Sequence, residues 1–590
     1  MAFQDFDLIS QRRQEERRRK KKKIIIAVTL SVLILLVAAA AVAVVLHQNN
    51  QDVNTKESHK DDPPKPKAVA SADKNDKVVK TVCATTDFQQ TCEESLIKSM
   101  KSVSPNSPSL HENILRASFS AASDEIDKAI KKASDLKFDS PLKKKAFEDC
   151  LELLEDAKEE LNSSSAFIKG KDMGKLSSIT PEINNWLSAV LTYQQTCIDG
   201  FPDGAEKTSM QKLLNTSKEL GSNALAIVSE LSTTLKTVQS QRKLLGMDEA
   251  GFPAWMRHEY RRVLKADATK FTPNVTVAKD GSGNFTTIAA ALKAMPEKYT
   301  GRYVIYIKEG VYDENVIITK KMVNVTMYGV GSQKSVITGN KNYVDGVPTY
   351  QTASFGNNFN CYRRWIHGTI PGFRNTAGPK KHQAVALRVQ SDRSIFLNCR
   401  MEGFQDSLYA QTHRQFYRGC YITGTIDFIF GNAAAVFQNC LIYVRKPMEN
   451  QKNIVTAQGR TDKRQTTGIV LQNCRILAAD GLAPEKAKFK SYLGRPWKEY
   501  SRTIIMETEI GDFIQPEGWM EWEGDFALKT LYYAEFNNKG PGSSTAGRVK
   551  WPGYKSIKKE EALEFTVGPF LQGEGWIKNA DVPVRFGMSG

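Results

Sequence analysis

Four short phrases in the second half of the chain decide the fold: IFLNC at 395–399, QFYRGC at 415–420, VFQNC at 436–440 and VLQNC at 470–474. Their cysteines follow one another at intervals of 21, 20 and 34 residues. Each phrase is an apolar, strand-like run that ends at an Asn or Gly turn, which is typical of stacked solenoid coils. A β-sandwich would place strands about every 8–12 residues without a shared phrase. The pattern therefore predicts an all-β, right-handed parallel β-helix over residues 271–590.

The repeat also brings two carboxylates together. Asp406 lies seven residues after Cys399, and Asp427 lies seven residues after Cys420. The two should therefore occupy equivalent positions on adjacent coils, about 4.8 Å apart. Two carboxylates this close do not ionise together easily, so the pKa of one should rise. One is then suited to donate a proton and the other to act as nucleophile or base, although a structural ladder of stacked Asp turns is the alternative.

Two glutamines belong to the same predicted cleft. Gln383 precedes Gln405 by 22 residues, which is about one coil. Amide donors beside two carboxylates are the composition of a site with an oxyanion hole. The sequence offers no tight His or Cys spacing for a metal, and it indicates neither a metal nor an organic cofactor.

The N-terminus predicts a membrane topology. Residues 1–23 hold nine Lys and Arg against four acids, a charge of +5, and residues 24–46 hold no charge. About 20 apolar residues span a bilayer, and the positive-inside rule keeps the basic tail in the cytoplasm. We expect a single transmembrane signal anchor at 24–46, with the rest of the chain in the secretory lumen. Candidate glycosylation sites there are Asn162, Asn215, Asn274, Asn284 and Asn324.

The middle of the chain has a different character. Residues 47–79 read as a polar linker, and residues 80–241 carry apolar residues at helical spacing among many Lys and Glu. The second pattern predicts an all-α four-helix bundle. Four cysteines of the bundle are disulfide candidates with three possible connectivities: Cys83, Cys92, Cys150 and Cys197. The first two are spaced to bridge a short hairpin and the last two to tie two helices together.

Four further cysteines, one in each β-helix phrase, are disulfide candidates because the predicted compartment permits disulfides. They are Cys399, Cys420, Cys440 and Cys474.

Residues 242–270 form a linker with two basic motifs. Linkers are exposed and mobile, so such motifs are candidate protease sites, with solvated charge pairs as the alternative. The candidate processing residues are Arg242, Lys243, Leu244 and Leu245, and Arg261, Arg262, Val263 and Leu264.

The net charge of +17 is concentrated at the two ends of the chain. Residues 271–590 hold 41 Lys and Arg against 28 Asp and Glu. A basic half indicates a polyanionic partner. Since secretion argues against nucleic acid, we expect an acidic polysaccharide.

Two known families resemble these halves. Residues 80–240, with TYQQTC at 192–197, resemble the plant invertase and pectin methylesterase inhibitors. Residues 271–590 resemble the plant pectin methylesterases. Five ordered motifs carry this second resemblance: GVYDE at 310–314, QAVAL at 383–387, QDSL at 405–408, DFIFG at 427–431 and LGRPW at 493–497.

The second resemblance implies a role for each site residue. Asp427 would attack the methyl-ester carbonyl of a galacturonate, and Asp406 would protonate the departing methanol and then activate water. The other implied roles are an oxyanion hole from Gln383 and Gln405, orientation of Asp427 by Arg495, and substrate contacts from Trp497 and Thr352. The expected reaction converts methyl-esterified homogalacturonan into demethylated pectin and methanol, with no metal and no cofactor.

Both resemblances together imply a wall-modifying enzyme made as a membrane-anchored precursor. The inhibitor-like pro-region would inhibit or retain the enzyme until a processing protease releases it into the cell wall.

Other functions stay open at this point. A pectate lyase or a polygalacturonase would use the same fold, although the two glutamines and Arg495 argue against both. Residues 356–371 read GNNFNCYRRWIHGTIP, where the family has an alternating apolar strand. If this departure displaces the coil of Gln383, the protein would be a catalytically impaired, wall-binding or inhibitory protein.

Overall fold

A computed structural model describes most of the chain beyond the predicted linker. The described residues are 76–100, 103, 107, 109–240, 272–299, 301–322, 324–357, 371–578 and 582–588. No helix within these ranges is both long and apolar enough to cross a membrane. The predicted tail, the anchor at 24–46 and the two basic motifs lie outside the described residues.

The first part, residues 76–240, is all-helical and is called the helical domain below. After a short helical segment at 76–83 it contains α1 Gln89–Met100, α2 Leu110–Ala133, α3 Pro141–Ile168, α4 Leu176–Asp199 and α5 Ala205–Ser240. The helix α3 begins at an N-cap, where the Ser140 hydroxyl accepts a hydrogen bond from the Lys143 amide and proline occupies the first helical turn. The predicted helical bundle is therefore confirmed.

Two disulfides hold the helical domain together. Cys83 is bonded to Cys92, and Cys150 on α3 is bonded to Cys197 on α4, with Cα–Cα distances of 5.7 and 4.2 Å. The second bond joins the two helices that make the most extensive contact in this domain. Both predicted pairings are confirmed.

The second part, residues 272–588, is called the β-helix domain. Its helices are α6 Ile288–Lys293, α7 Lys559–Leu563 and α8 Val567–Leu571. Its strands are β1 Val275–Val277, β2 Tyr303–Ile307, β3 Gly310–Asp313, β4 Val316–Ile318, β5 Val325–Gly329, β6 Ser335–Gly339, β7 Phe355–Asn357, β8 Gly372–Asn375, β9 Leu387–Val389, β10 Ser394–Leu397, β11 Arg400–Glu402, β12 Leu408–Ala410, β13 Arg414–Arg418, β14 Tyr421–Gly424, β15 Ile429–Gly431, β16 Ala434–Gln438, β17 Leu441–Val444, β18 Asn453–Gln458, β19 Gly468–Gln472, β20 Arg475–Ala478, β21 Ser491–Gly494, β22 Arg502–Met506, β23 Glu509–Ile510, β24 Tyr532–Phe536 and β25 Tyr554–Ser556.

These strands form three long parallel sheets and a short one. Sheet I has the order β3-β6-β8-β11-β14-β17-β20-β23, sheet II β4-β7-β9-β12-β15-β18-β21, and sheet III β10-β13-β16-β19-β22-β24-β25. A three-stranded sheet, β1-β2-β5, completes the set. From β9 to β23 the chain visits sheets II, III and I in turn, so each circuit is one coil of a solenoid. The predicted parallel β-helix is confirmed, and its right-handed sense stays a prediction from the rule for parallel crossovers.

The repeated phrases stack in register. Arg400 pairs with Tyr421, Tyr421 with Leu441, and Leu441 with Arg475, so the preceding cysteines of all four phrases lie side by side. Aromatic rings stack inside the coils in the same way, with Tyr417 and its neighbour Phe437 4.4 Å apart. Burial of these aligned apolar residues supplies the core of the β-helix domain.

The disulfide prediction for the β-helix domain was wrong. Cys399, Cys420, Cys440 and Cys474 are buried free thiols. Successive coils lie about 4.8 Å apart and in-register side chains project in parallel, whereas a disulfide needs Cβ atoms about 3.8 Å apart. The thiol of Cys420 instead contacts the Phe396 carbonyl oxygen at 3.3 Å.

Residues 358–370, the centre of the atypical segment, lie outside the described residues. The strands on either side of that gap keep the coil register. Phe355 of β7 pairs with Leu387 of β9, and Phe373 of β8 pairs with Met401 of β11. The coil that leads to Gln383 is therefore in its regular place.

Candidate active site

The two predicted carboxylates meet on sheet II. Leu408 of β12 pairs with Ile429 of β15, and Asp406 and Asp427 each lie two residues before these partners. Both aspartates have left-handed backbone conformations, with φ of 63° and 50°. The same turn therefore repeats on adjacent coils and presents both carboxyl groups to one cleft, as the spacing predicted.

Arg495, one residue beyond β21, makes two hydrogen bonds to one of the two carboxylates. Its Nε donates to Oδ1 of Asp427 at 2.9 Å, and its Nη2 donates to Oδ2 at 2.6 Å. The guanidinium also lies 4.2 Å from the centroid of the Trp522 ring. This two-point contact fixes the orientation of the Asp427 carboxylate as well as its charge.

The two carboxyl groups differ in their electrostatic surroundings. Burial raises the pKa of Asp427, and the adjacent Arg495 charge opposes that rise. Burial and the neighbouring Asp427 charge together raise the pKa of Asp406 well above its ordinary value. Arg495 hydrogen-bonds Asp427 and acts on Asp406 through its charge alone, so it favours ionisation of Asp427 more strongly than ionisation of Asp406.

Both glutamines line the same cavity as the aspartates. The backbone oxygen of Gln383 accepts a hydrogen bond from the Tyr343 amide at 3.0 Å, and that of Gln405 accepts one from Ala384 at 3.3 Å. The side-chain oxygen of Gln383 is buried and has no hydrogen-bond partner among the described residues. Backbone hydrogen bonds thus hold both residues at the cavity.

Aromatic rings form one wall of the cleft. Phe430 stacks on Tyr409 with centroids 4.3 Å apart and meets the ring of Trp497 edge-on at 5.9 Å. Close packing leaves little room behind the indole, since a Cβ on Gly459 would lie 2.7 Å from it. Rings presented in this way suit the apolar faces of sugar rings.

Thr352 does not reach this cleft. It is fully buried, donates to the Thr349 carbonyl at 2.8 Å and accepts a hydrogen bond from the Val385 amide at 3.1 Å. Its predicted role in contacting substrate is therefore corrected. With its hydroxyl used inside the protein, Thr352 holds the backbone that leads into β9.

The helical domain covers the cleft. The cavity has a volume of about 490 Å³ and is lined by both domains. From the helical domain come the end of α4 and the loop and first turn that follow it: Thr196, Asp199, Gly200, Phe201, Asp203 and Lys207. With the helical domain in this position, Asp406 and Asp427 are 7% and 6% exposed.

Buried polar contacts join the two domains. His413 of the β-helix domain accepts or donates through both ring nitrogens, to Asn185 at 3.1 Å and Tyr193 at 3.3 Å, and lies 3.1 Å from Glu160. Burial lowers the pKa of His413, whereas the Glu160 charge and hydrogen bond and the Asp392 charge together raise it, and the net shift is upward. His413 and Glu160 are therefore a buried contact between the domains that becomes an ion pair when the imidazole is protonated.

Sequence reasoning missed these interface residues. Three acids of α3, namely Asp149, Asp156 and Glu160, are buried against the β-helix domain. Their spacing of seven and four residues places them on one face of the helix. This row of acids on one helix face was the sign of the interface that the sequence offered. Acidic side chains on a helix face are usually interpreted as solvent-exposed, so the contact was not predicted.

The other predicted sites have the following positions. Asn162 and Asn215 are exposed on helices, whereas the side chain of Asn274 accepts a hydrogen bond from the Val304 amide at 2.7 Å. Asn284 is exposed, and Asn324 is half-buried with a φ of 65°. Within the described ranges, no group of three or more His, Cys, Asp and Glu residues is arranged to hold a metal ion.

A parallel β-helix whose cleft holds a protonatable carboxyl group, an oriented carboxylate and two amides defines a hydrolase that acts on esters of an extended polymer. The pectinesterase family model matches residues 274–574, and the model for plant invertase/pectin methylesterase inhibitors matches residues 77–227. The chain belongs to the pectinesterase family, in the form with an inhibitor-like domain ahead of the enzyme.

Individual relatives agree with this assignment. Pectinesterase/pectinesterase inhibitor 45 of Arabidopsis thaliana is 49% identical over 90% of this chain and 88% of its own length. Pectinesterase 1 of Citrus sinensis is 46% identical over 75% of this chain and 77% of its own. Among solved structures, the pectin methylesterase from carrot is 48% identical and has a TM-score of 0.53. The match covers 55% of this chain and 100% of the solved carrot chain.

Proposed function

We propose that Asp427 is the nucleophile and Asp406 the proton donor in the pectinesterase reaction of this protein, the hydrolysis of methyl esters in homogalacturonan. The observation that carries this assignment is the pair of hydrogen bonds from Arg495 to Asp427, beside Asp406, to which Arg495 makes no hydrogen bond. An ionised nucleophile next to a protonated acid is the state that ester cleavage requires.

The first half-reaction forms an acyl–enzyme. An Asp427 oxygen attacks the ester carbonyl carbon, and the carbonyl electron pair moves onto its oxygen, where the amides of Gln383 and Gln405 donate hydrogen bonds. Collapse of this intermediate breaks the bond to the methoxy oxygen. Asp406 gives that oxygen its proton, so methanol leaves and an anhydride joins Asp427 to the galacturonate.

The second half-reaction restores the enzyme. Asp406, now a carboxylate, takes a proton from water as the water oxygen attacks the acyl carbon. Collapse releases Asp427 as a carboxylate and leaves the galacturonate as a free acid. Each turnover therefore consumes one water, releases one methanol and adds one carboxylate to the polymer.

Product analysis separates this reaction from the other chemistries of the fold. We expect methanol release with no new reducing ends and no unsaturated ends. New reducing ends would indicate a polygalacturonase and unsaturated ends a lyase. The wall-binding alternative is not favoured, since the esterase family match runs through the atypical segment 356–371.

We further propose that the helical domain keeps the enzyme silent until the linker is cut. The position of α4 and the following loop over the catalytic pair supports this. The proposed processing residues are Arg242, Lys243, Leu244 and Leu245, and Arg261, Arg262, Val263 and Leu264. Replacing the basic residues of both motifs should leave an uncut protein that releases little methanol. A cut, active protein of mature size from that variant would contradict the proposal.

We also propose that residues 24–46 anchor the precursor in the secretory membrane and that the β-helix domain reaches the cell wall after cleavage. Among the sequons, Asn162 and Asn215 offer exposed helical positions for glycosylation. Deleting 24–46 should remove the precursor from the membrane fraction. An unchanged membrane fraction would rule out this segment as the anchor.

A further inference from the structure

Lys498 lies at the cavity beside the catalytic pair. Its Nζ donates to Oδ1 of Asp199, the last residue of α4, at 2.6 Å, and lies 4.9 Å from the centroid of the Trp497 ring. The Lys498 side chain is 19% exposed. A carboxylate of the helical domain therefore occupies a definite position in the cleft, next to an aromatic residue of its wall.

The Asp199 carboxylate receives only part of its possible hydrogen bonds from its own domain. Gln195 donates to Oδ1 at 2.9 Å, while Oδ2 is buried without a hydrogen-bond partner among the described residues. Burying a carboxylate with one oxygen free of hydrogen bonds costs free energy unless a nearby cation compensates its charge. The Lys218 charge of the helical domain also attracts Asp199, but the ion pair at contact distance is made by Lys498, across the domain boundary.

Arg495 and Lys498 are the two cations that the described β-helix domain contributes to the lining of the cavity. Arg495 is already paired with Asp427 inside that domain. Lys498 is paired with Asp199, and within the described residues no carboxylate of the β-helix domain pairs with it. When the helical domain leaves, Lys498 is therefore a cation in the cleft that has lost its carboxylate partner.

We propose that Lys498 binds the free carboxylate of a galacturonate that has already lost its methyl ester, on the Trp497 side of the catalytic pair. Asp199 occupies this subsite while the helical domain covers the cleft. Ammonium–carboxylate hydrogen bonds are stronger than neutral ones, so the subsite distinguishes a free acid from an ester. The product of one turnover then anchors the chain for the next, and esters beside free carboxylates are preferred.

This subsite deepens the proposed function and is tested in the isolated β-helix domain, residues 272–590. The solved carrot enzyme, 48% identical, matches 55% of this chain over its whole length, so a folded chain of about this extent is known in a relative. The proteins to compare are the parent, Lys498→Gln, Lys498→Arg and the control Lys463→Gln. Lys463 also pairs with a helical-domain carboxylate, Asp87 at 2.9 Å, but does not line the cavity.

The readouts are kcat and KM for methanol release from nearly fully esterified and from half-esterified homogalacturonan. We expect Lys498→Gln to raise KM roughly tenfold on the half-esterified polymer, as loss of one charge-assisted hydrogen bond predicts. On the nearly fully esterified polymer, where few sugars carry a free carboxylate, the increase in KM should be several-fold smaller. Lys498→Arg should restore the KM, and Lys463→Gln should match the parent. An equal effect on both polymers, or none on either, overturns the proposal.

A binding measurement covers the case of an inactive variant. In an Asp427→Asn background, a fully demethylated galacturonate hexamer should bind roughly tenfold more weakly when Lys498→Gln is added. Unchanged binding overturns the subsite. A parent that releases no methanol from either polymer would contradict the proposed function, while the hexamer result would still decide the subsite.

Discussion

At the scale of single residues, Arg495 distinguishes the two carboxyl groups of the candidate site. Its Nε and Nη2 donate to Asp427 at 2.9 and 2.6 Å, and among the described residues no cation makes such a hydrogen bond to Asp406. Orientation and charge come from the same side chain, which a lysine would not reproduce because it lacks the planar fork.

Arg495→Lys should therefore lower kcat roughly 100-fold, the loss typical of one preorganised electrostatic contact. Asp427 must be ionised to attack. With weaker compensation its pKa moves further up, so the acidic limb of the rate profile should shift to higher pH. Methanol release measured across pH for the parent, Arg495→Lys and the exposed control Arg475→Lys tests this. An unshifted limb would show that Arg495 does not tune Asp427.

At the scale of elements, the β-helix places the site through turns that repeat from coil to coil. Gly431 ends β15 with a φ of 123°, and a Cβ there would lie 2.0 Å from the Ala410 carbonyl oxygen. Any side chain at this position pushes adjacent coils of sheet II apart, close to the turn that carries Asp427.

Gly431→Ala should lower the free energy of unfolding by more than about 3 kcal/mol, since backbone strain and a backbone clash add together. Thermal unfolding of the β-helix domain is the measurement. Gly481→Ala is the matched control, because its Cβ would meet no atom within 4 Å. Equal melting temperatures for the two variants would contradict the close packing described at Gly431.

The same elements show what the sequence could predict. The short sequence motif that repeats from coil to coil predicted the β-helix. The equal spacing of Asp406 and Asp427 from that motif predicted that both lie in one cleft. The thiols were mispredicted because spacing reports which residues align, while a disulfide depends on how side chains project. Thr352 was misplaced for a similar reason, since its burial depends on packing between segments distant in sequence. The contacts of His413 involve a separate domain, about which the local pattern carries no information.

At the scale of the whole molecule, the helical domain and the β-helix domain meet through groups that titrate. Burial raises the pKa of Asp149 to about 7 and that of Asp156 to about 6. Gln351 of the β-helix domain donates to Asp149 at 2.7 Å, and Lys320 pairs with Asp156. These two contacts oppose the shifts, but burial has the larger effect, so the ionised forms of both acids are disfavoured when the domains are docked.

Docking should weaken as the pH rises. Docking raises the pKa of such a carboxyl group from its ordinary value of 3.8. The group therefore stabilises the docked state fully at pH values below 3.8, and this contribution is lost as the pH rises through the pKa of the docked state. Methanol release by the full chain, relative to an Asp149→Asn variant, should therefore increase between about pH 4 and pH 7. The exposed α3 residue Glu155, changed to Gln, is the control. A constant ratio across this range would contradict a pH-dependent interface.

The most direct test of the account compares methanol release from pectin by residues 272–590 with that by the Asp427→Asn variant. Asp480→Asn, an exposed acid beyond β20, serves as the control. We predict that the parent and the control release methanol equally, while Asp427→Asn loses at least about 1,000-fold, because removing the nucleophile leaves only binding and the oxyanion hole. Equal release by all three proteins would show that Asp427 is not the nucleophile and would contradict the assignment of the site.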